Sequence, residues 1–134
     1  MIGSKVVAHF LDGRLAKGFT SDFLPTREVF HIEVHGEDGV TKTQTVQHAE
    51  LKAIFFVKDF AGRPGQRKRN EFAADRPVAG RKIRVVFKDG EVMLGTTQGY
   101  QPGRPGFFVN PADPESNSIR CYVLSAATKS VDWV

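Results

Sequence analysis

Residues 5–13 have the sequence KVVAHFLDG, and residues 82–90 have the sequence KIRVVFKDG. The two stretches lie 77 positions apart, and at this offset residues 5–57 align with residues 82–134 without a gap. Thirteen aligned positions are identical, several of them Gly, Asp or Pro, whose backbone geometry is demanding. The identical pairs are Lys5/Lys82, Phe10/Phe87, Asp12/Asp89, Gly13/Gly90, Gly18/Gly95, Thr20/Thr97, Pro25/Pro102, Arg27/Arg104, Phe30/Phe107, Val46/Val123, Ala49/Ala126, Lys52/Lys129 and Val57/Val134. The chain therefore contains one small unit twice.

The repeat divides the chain into three segments. Residues 1–57 hold the first unit, residues 82–134 hold the second, and residues 58–81 form a basic linker that contains Gly and Pro. A domain of about 55 to 65 residues buries only about 60% of the surface that its unfolded chain exposes. We therefore expect the two units to pack on each other or on another copy.

Apolar residues alternate with other residues in both units, which is typical of half-buried strands. In the first strand of each unit the inward positions are Val6, Ala8 and Phe10, or Ile83, Val85 and Phe87. The Asp-Gly pairs at residues 12–13 and 89–90 predict tight hairpins with positive φ at both central positions. Gly18 and Gly95 predict a sharp bend or a close backbone approach in the second strand.

Each unit therefore has five predicted short strands, too short for a two-layer sandwich. Strands this short and this bent fit a small barrel, which removes exposed edges by curling on itself. We predict an all-β chain of two tandem five-stranded small β-barrels related by internal duplication.

The order of elements carries a resemblance. Both units have a strand, an Asp-Gly turn, a strand with a central glycine, a variable loop and further strands, and the first unit continues into Leu51-Lys52-Ala53-Ile54. This order resembles the Sm-like, or SH3-type, small barrel. The whole chain also resembles a group of short bacterial proteins of unassigned function, often associated with signalling modules, in which a run like Phe-Phe-Val-Lys-Asp-Phe at residues 55–60 recurs.

Two further features bear on the compartment. No apolar run is long enough to span a membrane, and residues 1–5 lack the apolar stretch of a signal peptide, so we expect a cytoplasmic protein without membrane association. Cys121 is the only cysteine and aligns with Gln44, which excludes an internal disulfide. We expect Cys121 to be a small buried residue on a strand.

The excess positive charge is concentrated in the middle of the chain. Residues 58–84 carry a formal charge of +6, whereas residues 1–57 and 85–134 carry −1 each. A basic segment of this kind can follow a phosphate backbone, or it can be a solvated linker that its own repulsion keeps extended. The candidate residues for binding an anion or a nucleic acid in this region are Arg63, Arg67, Lys68, Arg69, Arg81 and Arg84.

Arg27 and Arg104 occupy the same loop position in the two units, near Phe23 and Tyr100 respectively. An aromatic ring beside a guanidinium can stack on a nucleic-acid base, although such a pair can also only stabilise its loop. The Asp and Asn that an RNA-binding Sm-like protein carries in this loop are absent.

Arg63 and Arg67 also have the Arg-x-x-x-Arg spacing. This resembles half of the cyclic-di-GMP motif of PilZ domains, which are small barrels with a basic segment before them. The other half, Asp or Asn followed by x-Ser-x-x-Gly, is missing at the expected distance. Binding of cyclic-di-GMP is therefore a lesser alternative.

Residue patterns for catalysis or metal binding are lacking. His31 and His35 would lie about 13 Å apart along a strand, too far to share a metal ion. Asp12 and Asp89 are explained by turn formation, and the chain has no nucleophile elbow, phosphate-binding loop or His-Glu-x-x-His sequence. We predict a protein that is not an enzyme and has neither metal nor cofactor.

Phe55 aligns with Asp132, so an apolar residue of the first unit replaces a charge of the second. Together with Phe56 and Phe60 it is a candidate patch for contact with the sister unit or a partner protein. The alternative is that the linker covers Phe55.

These observations predict a non-catalytic binding or scaffold module in a bacterial cytoplasmic pathway. The alternative is RNA binding through the basic linker and the loop arginines. The partner is thus an unidentified protein, another copy of the chain, or a nucleic acid.

Overall fold

The computed structural model describes residues 3–60, 80–112 and 117–134. Within these ranges the chain is all-β, as predicted, with ten strands and two single-turn 3₁₀ helices at His48–Glu50 and Ser125–Ala127. The strands are β1 (Ser4–Phe10), β2 (Leu15–Thr20), β3 (Val29–His35), β4 (Thr41–Gln47), β5 (Leu51–Val57), β6 (Arg81–Phe87), β7 (Val92–Thr97), β8 (Gly106–Pro111), β9 (Ser118–Leu124) and β10 (Thr128–Trp133). No helix in these ranges is long and apolar enough to cross a membrane.

The strand bounds repeat at the offset found in the sequence. β1, β2 and β4 correspond to β6, β7 and β9 residue for residue, and the two 3₁₀ turns correspond in the same way. The pairing also repeats, since Lys5 lies opposite Phe19 as Lys82 lies opposite Thr96. The predicted inward positions of the first strands are confirmed, because Val6, Ala8, Ile83 and Val85 are all completely buried.

All ten strands belong to one open antiparallel sheet in the order β10-β6-β7-β8-β9-β5-β1-β2-β3-β4. In each unit the first strand pairs with both the second and the fifth strands. The units are joined by β5 and β9, with Ile54 opposite Tyr122 and Phe56 opposite Arg120. The structure thus shows the predicted strands but not two separately closed barrels, because β9 pairs with the apolar β5 of the other unit.

The hairpin after the first strand differs in detail from the prediction. Gly13 has a φ of 92° and Gly90 a φ of 95°, but no residue other than glycine has positive φ in the described ranges. The N–H of Gly13 donates to the Phe10 carbonyl (3.0 Å), and the N–H of Phe10 donates to the Arg14 carbonyl (2.9 Å). This is a three-residue loop with glycine in the left-handed position, so Asp12 keeps an ordinary backbone conformation. The Asp12 carboxylate instead accepts a hydrogen bond from the Arg14 N–H (3.0 Å).

At Gly18 and Gly95 the structure shows the close backbone approach, which is one of the two predicted alternatives. A Cβ atom at Gly18 would overlap the carbonyl oxygen of Glu33 on β3, and one at Gly95 would overlap that of Asn110 on β8. Glu33 and Asn110 are themselves related by the 77-residue offset. Glycine is therefore required in both units for the same steric reason.

Side chains also connect the units. Lys52 on β5 donates to the carboxylates of Asp89 (2.7 Å) and Glu91 (3.1 Å), and its ammonium lies 4.6 Å from the ring centroid of Phe87. Burial opposes the charged form of Lys52, but the two carboxylates outweigh it and raise the pKa of Lys52. The buried core runs without interruption through both units.

Candidate binding groove at the junction of the repeats

An aromatic cluster lies where the two units meet. Phe23, in the loop after β2, contacts rings from both units at centroid distances between 5.1 and 6.5 Å. Its neighbours are Phe30, His48, Phe56, Phe108 and Tyr122. Edge-to-face pairs of this kind add to the stabilisation from buried area. The cluster therefore forms a rigid floor beneath the surface at β5 and β9.

Arg120 lies on this floor. Its guanidinium carbon is 4.6 Å from the ring centroid of Phe56 and 4.6 Å from that of Phe108, and the side chain is exposed. A guanidinium that stacks on a ring by its face keeps its N–H donors free in its own plane. Among the described residues Arg120 has no acidic partner. Within the described ranges no carboxylate neutralises this charge.

Two cavities flank Arg120. One, of about 370 Å³, lies towards the first unit, and the other, of about 580 Å³, lies towards the second. Of the described residues that line them none is Asp or Glu, and the larger cavity also contains Arg104. We call these two cavities together the Arg120 groove. Its described lining residues are Gly3, Ser4, Thr20, Ser21, Phe23, Pro25, Phe56, Thr97, Gln98, Gly99, Arg104, Gly106, Phe107, Phe108, Asn110, Arg120 and Tyr122.

A third cavity, of about 540 Å³, extends the groove along the second unit. It shares Thr97, Gln98 and Gly99 with the larger cavity of the Arg120 groove. Its outer part holds Arg81, whose guanidinium carbon lies 4.0 Å from the ring centroid of Trp133. We call the Arg120 groove and this third cavity the basic track. Arginines and aromatic rings alternate along it, and its described lining again contains no carboxylate.

Hydrogen bonds fix the centre of the basic track. The hydroxyl of Thr97 donates to the carbonyl of Phe108 (2.7 Å), which ties the end of β7 to β8. The N–H of Gly99 approaches the same hydroxyl at 3.4 Å. These bonds hold the start of the loop that separates the larger cavity of the Arg120 groove from the third cavity.

Several titratable groups lie near the groove. Burial raises the pKa of Tyr122 and lowers the pKa of His48, whose Nε2 has no hydrogen-bond partner within the described ranges. Asp22 accepts hydrogen bonds from His31 through its backbone N–H (2.9 Å) and Nδ1 (2.7 Å). Partial burial opposes the ionised form of Asp22, but these bonds outweigh it and lower the pKa of Asp22. The part of the chain that the structure describes contains no cluster of three His, Cys, Asp or Glu residues suited to a metal ion.

The family assignment follows from a match over nearly the whole chain. The chain belongs to DUF6982, a family of unknown function, whose model matches residues 3–134. No curated protein and no solved structure matches it. The DUF6982 match covers both repeats and the segment between them, so the basic track lies within the family's extent.

The predicted arginines are distributed unevenly in the structure. Arg104 lines the Arg120 groove and Arg81 lines the third cavity, so the basic track brings these two together. Arg27 and Arg84 are exposed and do not line these cavities. The other four predicted residues, Arg63, Arg67, Lys68 and Arg69, lie outside the described residues.

The aromatic residues expected beside the loop arginines have other partners. Phe23 packs in the aromatic cluster, and Tyr100 contacts the rings of Phe107 (4.7 Å) and Trp133 (5.9 Å). The arginines that do lie over aromatic rings in the basic track are Arg120 and Arg81.

The phenylalanines of the candidate interaction patch are mostly covered. Phe55 and Phe56 are buried. The ring of Phe55 contacts that of His9 (4.5 Å), and Phe56 packs against Phe23 (5.6 Å) beneath Arg120. Phe60 is partly buried and packs edge-to-face on Phe19, with ring centroids 5.3 Å apart. Arg120 of the sister unit lies over Phe56. The alternative that the linker covers Phe55 concerns residues that lie mostly outside the described ranges.

Arg120 was missed by the sequence reasoning. It aligns with Thr43, so the repeat comparison singles out no shared function there. The available signal was an arginine within the otherwise apolar or uncharged stretch of residues 118–124, where the first unit has no arginine.

Proposed function

We propose that this chain is a non-catalytic binding module and that single-stranded nucleic acid binds along the basic track. The observation that carries the proposal is the exposed guanidinium of Arg120, held over Phe56 and Phe108 without an acidic partner in the described ranges. The module would act in the bacterial cytoplasm. We further propose that each repeat is a curled sheet of the Sm-like type, which is supported by the pairing of its first strand with both its second and fifth strands.

The charge of the basic track suits a phosphate backbone. Arg81, Arg104 and Arg120 follow one another along three adjoining cavities whose described lining has no carboxylate. Arginine forms paired hydrogen bonds with phosphate oxygens through its planar fork of N–H donors. A ligand with several phosphates spaced along a chain can therefore contact all three residues.

The aromatic residues suit unpaired bases. Trp133 is 44% exposed, and Phe108 and Tyr100 are partly exposed in the same region. Stacking of a base on an aromatic side chain contributes about 1–3 kcal/mol and tolerates any base. The polar groups of Gln98 and Asn110 lie between the arginines and can bond base edges. We therefore expect preference for single strands over duplexes and weak sequence selectivity.

Two other candidates remain as competing outcomes. A scaffold for a partner protein is favoured by the exposed apolar residues at the end of β10. Cyclic-di-GMP is the lesser candidate, because only the Arg63 and Arg67 half of the PilZ motif is present in the sequence. Both ligands can be compared with nucleic acid in a single assay.

The test is a fluorescence anisotropy titration of the full chain with labelled single-stranded RNA and DNA at several salt concentrations. Each phosphate neutralised on a single strand contributes about −0.7 to the slope of log affinity against log salt, so three arginine contacts predict a slope of about −2. Unlabelled cyclic-di-GMP is added as a competitor. No binding at low salt would contradict the proposal and favour the scaffold, whereas displacement by cyclic-di-GMP alone would favour the lesser candidate.

The duplication supplies a matched pair of variants. Arg104→Ala should weaken binding and reduce the steepness of the salt slope by about 0.7, because one phosphate contact is lost. Arg27→Ala removes the same charge from the equivalent loop, but Arg27 does not line the basic track. It should leave the slope unchanged. Equal losses in the two variants would contradict the assignment of the ligand to the track.

A further inference from the structure

β4 and β10 form the two edges of the sheet. Within residues 3–60, 80–112 and 117–134 each has one strand neighbour, β3 for β4 and β6 for β10. At the 77-residue offset β4 corresponds to β9, and β10 corresponds to β5. β9 and β5 pair with each other at the junction. Their counterparts β4 and β10 do not pair with each other within the described residues.

The hydrogen bonds of each edge strand show which of its backbone N–H and C=O groups point away from the sheet. The N–H of His48 donates to the Glu28 carbonyl (2.8 Å), and the N–H of Val134 donates to the Lys82 carbonyl (3.1 Å). Because backbone groups alternate in direction along an antiparallel strand, those at the odd positions of both edges point away from the neighbouring strand. These positions include Thr43 and Thr45 on β4, and Val131 and Trp133 on β10.

These four residues correspond, at the 77-residue offset, to residues of β5 and β9 that pair with each other within the chain. At the junction Phe56 lies opposite Arg120 and Ile54 lies opposite Tyr122. The offset converts these pairs into Trp133 with Thr43 and Val131 with Thr45. The outward backbone donors and acceptors of β4 and β10 therefore lie at positions equivalent to those paired between β9 and β5.

Some side chains of the junction have identical counterparts at the open edges. Lys52 contacts Asp89, Glu91 and Phe87 across the junction. Lys129, Asp12 and Phe10 are the identical counterparts of Lys52, Asp89 and Phe87, whereas Glu91 is replaced by Arg14. Lys129 is exposed, and in the absence of a lysine Asp12 pairs with its near neighbour Arg14 (2.6 Å). The aspartate and phenylalanine contacts of Lys52 thus have counterparts that are not joined within one chain.

Apolar surface is exposed where this contact would form. Trp133 is 44% and Val134 67% exposed, whereas their counterparts Phe56 and Val57 at the junction are each 6% exposed. An edge strand with free backbone groups and apolar side chains is a template for pairing with another chain.

We propose that β10 of one copy pairs antiparallel with β4 of a second copy, in the register that β5 and β9 use within the chain. Trp133 then lies opposite Thr43 and Asp132 lies opposite Gln44, while Lys129 reaches Asp12 of the second copy. Because each copy offers two different edges, the contact is head-to-tail and produces closed rings or open filaments. Trp133 also lines the third cavity of the basic track, so the contact between copies and the binding of a ligand at that end of the track share this residue.

The first test uses cysteines placed in the proposed register. Asp132 and Gln44 correspond to Phe55 and Cys121, which lie opposite each other at the junction at a position without exchanged ladder hydrogen bonds, where Cβ atoms are close. One preparation carries Gln44→Cys and another carries Asp132→Cys. Under mild oxidation the mixture should form a disulfide-linked pair containing one chain of each kind. A mixture of Thr45→Cys with Asp132→Cys is the control, because Thr45 points to the opposite face of its strand.

A double variant with both Gln44→Cys and Asp132→Cys distinguishes two kinds of pairing. If β10 pairs with β4 of another copy, disulfides link different chains, and if it pairs with β4 of the same chain, the disulfide is intramolecular. Linked multimers support the proposal. A disulfide confined to single chains, or no more cross-linking than in the unchanged protein with its buried Cys121, would overturn it.

The second test measures mass by light scattering after gel filtration. The unchanged chain should be larger than a monomer at high concentration, and Thr45→Pro should shift it to the monomer, because proline removes only an outward N–H donor at an edge strand. Thr45→Ala should keep the larger mass. A monomeric unchanged chain at all concentrations would contradict the proposal independently of how the proline variant folds.

Discussion

Replacing Gly95 by alanine is expected to lower the free energy of unfolding by about 3 kcal/mol, the upper part of the range for inserting atoms into packed structure. The added Cβ would overlap the backbone carbonyl of Asn110, so β7 and β8 would have to separate. The measurement is urea unfolding followed by circular dichroism. Gly18→Ala should have a similar effect, because its Cβ would overlap the Glu33 carbonyl.

Gly99→Ala is the matched control. A Cβ atom at Gly99 has no heavy atom within 4 Å, and the backbone there does not have positive φ. The substitution should leave stability unchanged or raise it by up to about 1 kcal/mol through the unfolded state. If Gly95→Ala and Gly99→Ala behaved alike, the close approach of β7 and β8 would be wrong.

Arg120→Ala is expected to weaken the binding of single-stranded nucleic acid by about 30-fold, which corresponds to about 2 kcal/mol for a lost charge-assisted hydrogen bond. The loss should exceed that of Arg104→Ala, because Arg120 lies between both cavities of the groove and its orientation is fixed by two rings. Fluorescence anisotropy at low salt measures the effect.

Two further variants separate the roles of charge and geometry. Arg120→Lys keeps the charge but loses the planar fork, and its affinity should lie between that of Arg120→Ala and that of the unchanged protein. Arg14→Ala removes a positive charge from an exposed hairpin, where Arg14 is paired with Asp12, and should have little effect. An equal loss in Arg14→Ala and Arg120→Ala would show that only net charge matters.

The strands and their pairing within each unit could be predicted because local signals repeat. The alternation at Val6, Ala8 and Phe10 and the glycines at 13 and 18 occur at the same positions in the second copy, so two independent instances support each inference. The type of hairpin loop was harder to predict from the sequence. An Asp-Gly pair fits both a two-residue loop and a three-residue loop with glycine last, and the structure has the latter.

The joining of β5 and β9 could not be predicted from the repeat. The alignment treats both units alike, yet the fifth strand of the first unit is buried and that of the second is largely exposed. The contrast between Phe55 and Asp132 did indicate that the two strands have different surroundings. It did not identify the neighbour, because strand pairing across 60 or more residues depends on packing that no local pattern records.

The candidate site was predictable only in part for the same reason. Arg104 and Arg81 were found through loop position and charge, and both lie in the basic track. The guanidinium of Arg120 lies over Phe56 from one unit and Phe108 from the other. This arrangement exists only when the two units are joined, so the sequence of one unit does not indicate it.

The most direct test of the basic track as the binding surface is a two-dimensional nitrogen–proton NMR titration with a short single-stranded oligonucleotide. We predict that the largest shifts occur at the amides of residues 98–110 and 118–122 and at the side-chain Nε–H of Arg120, which line or adjoin the track. Shifts confined to residues 58–79, or no shifts at all, would contradict the account.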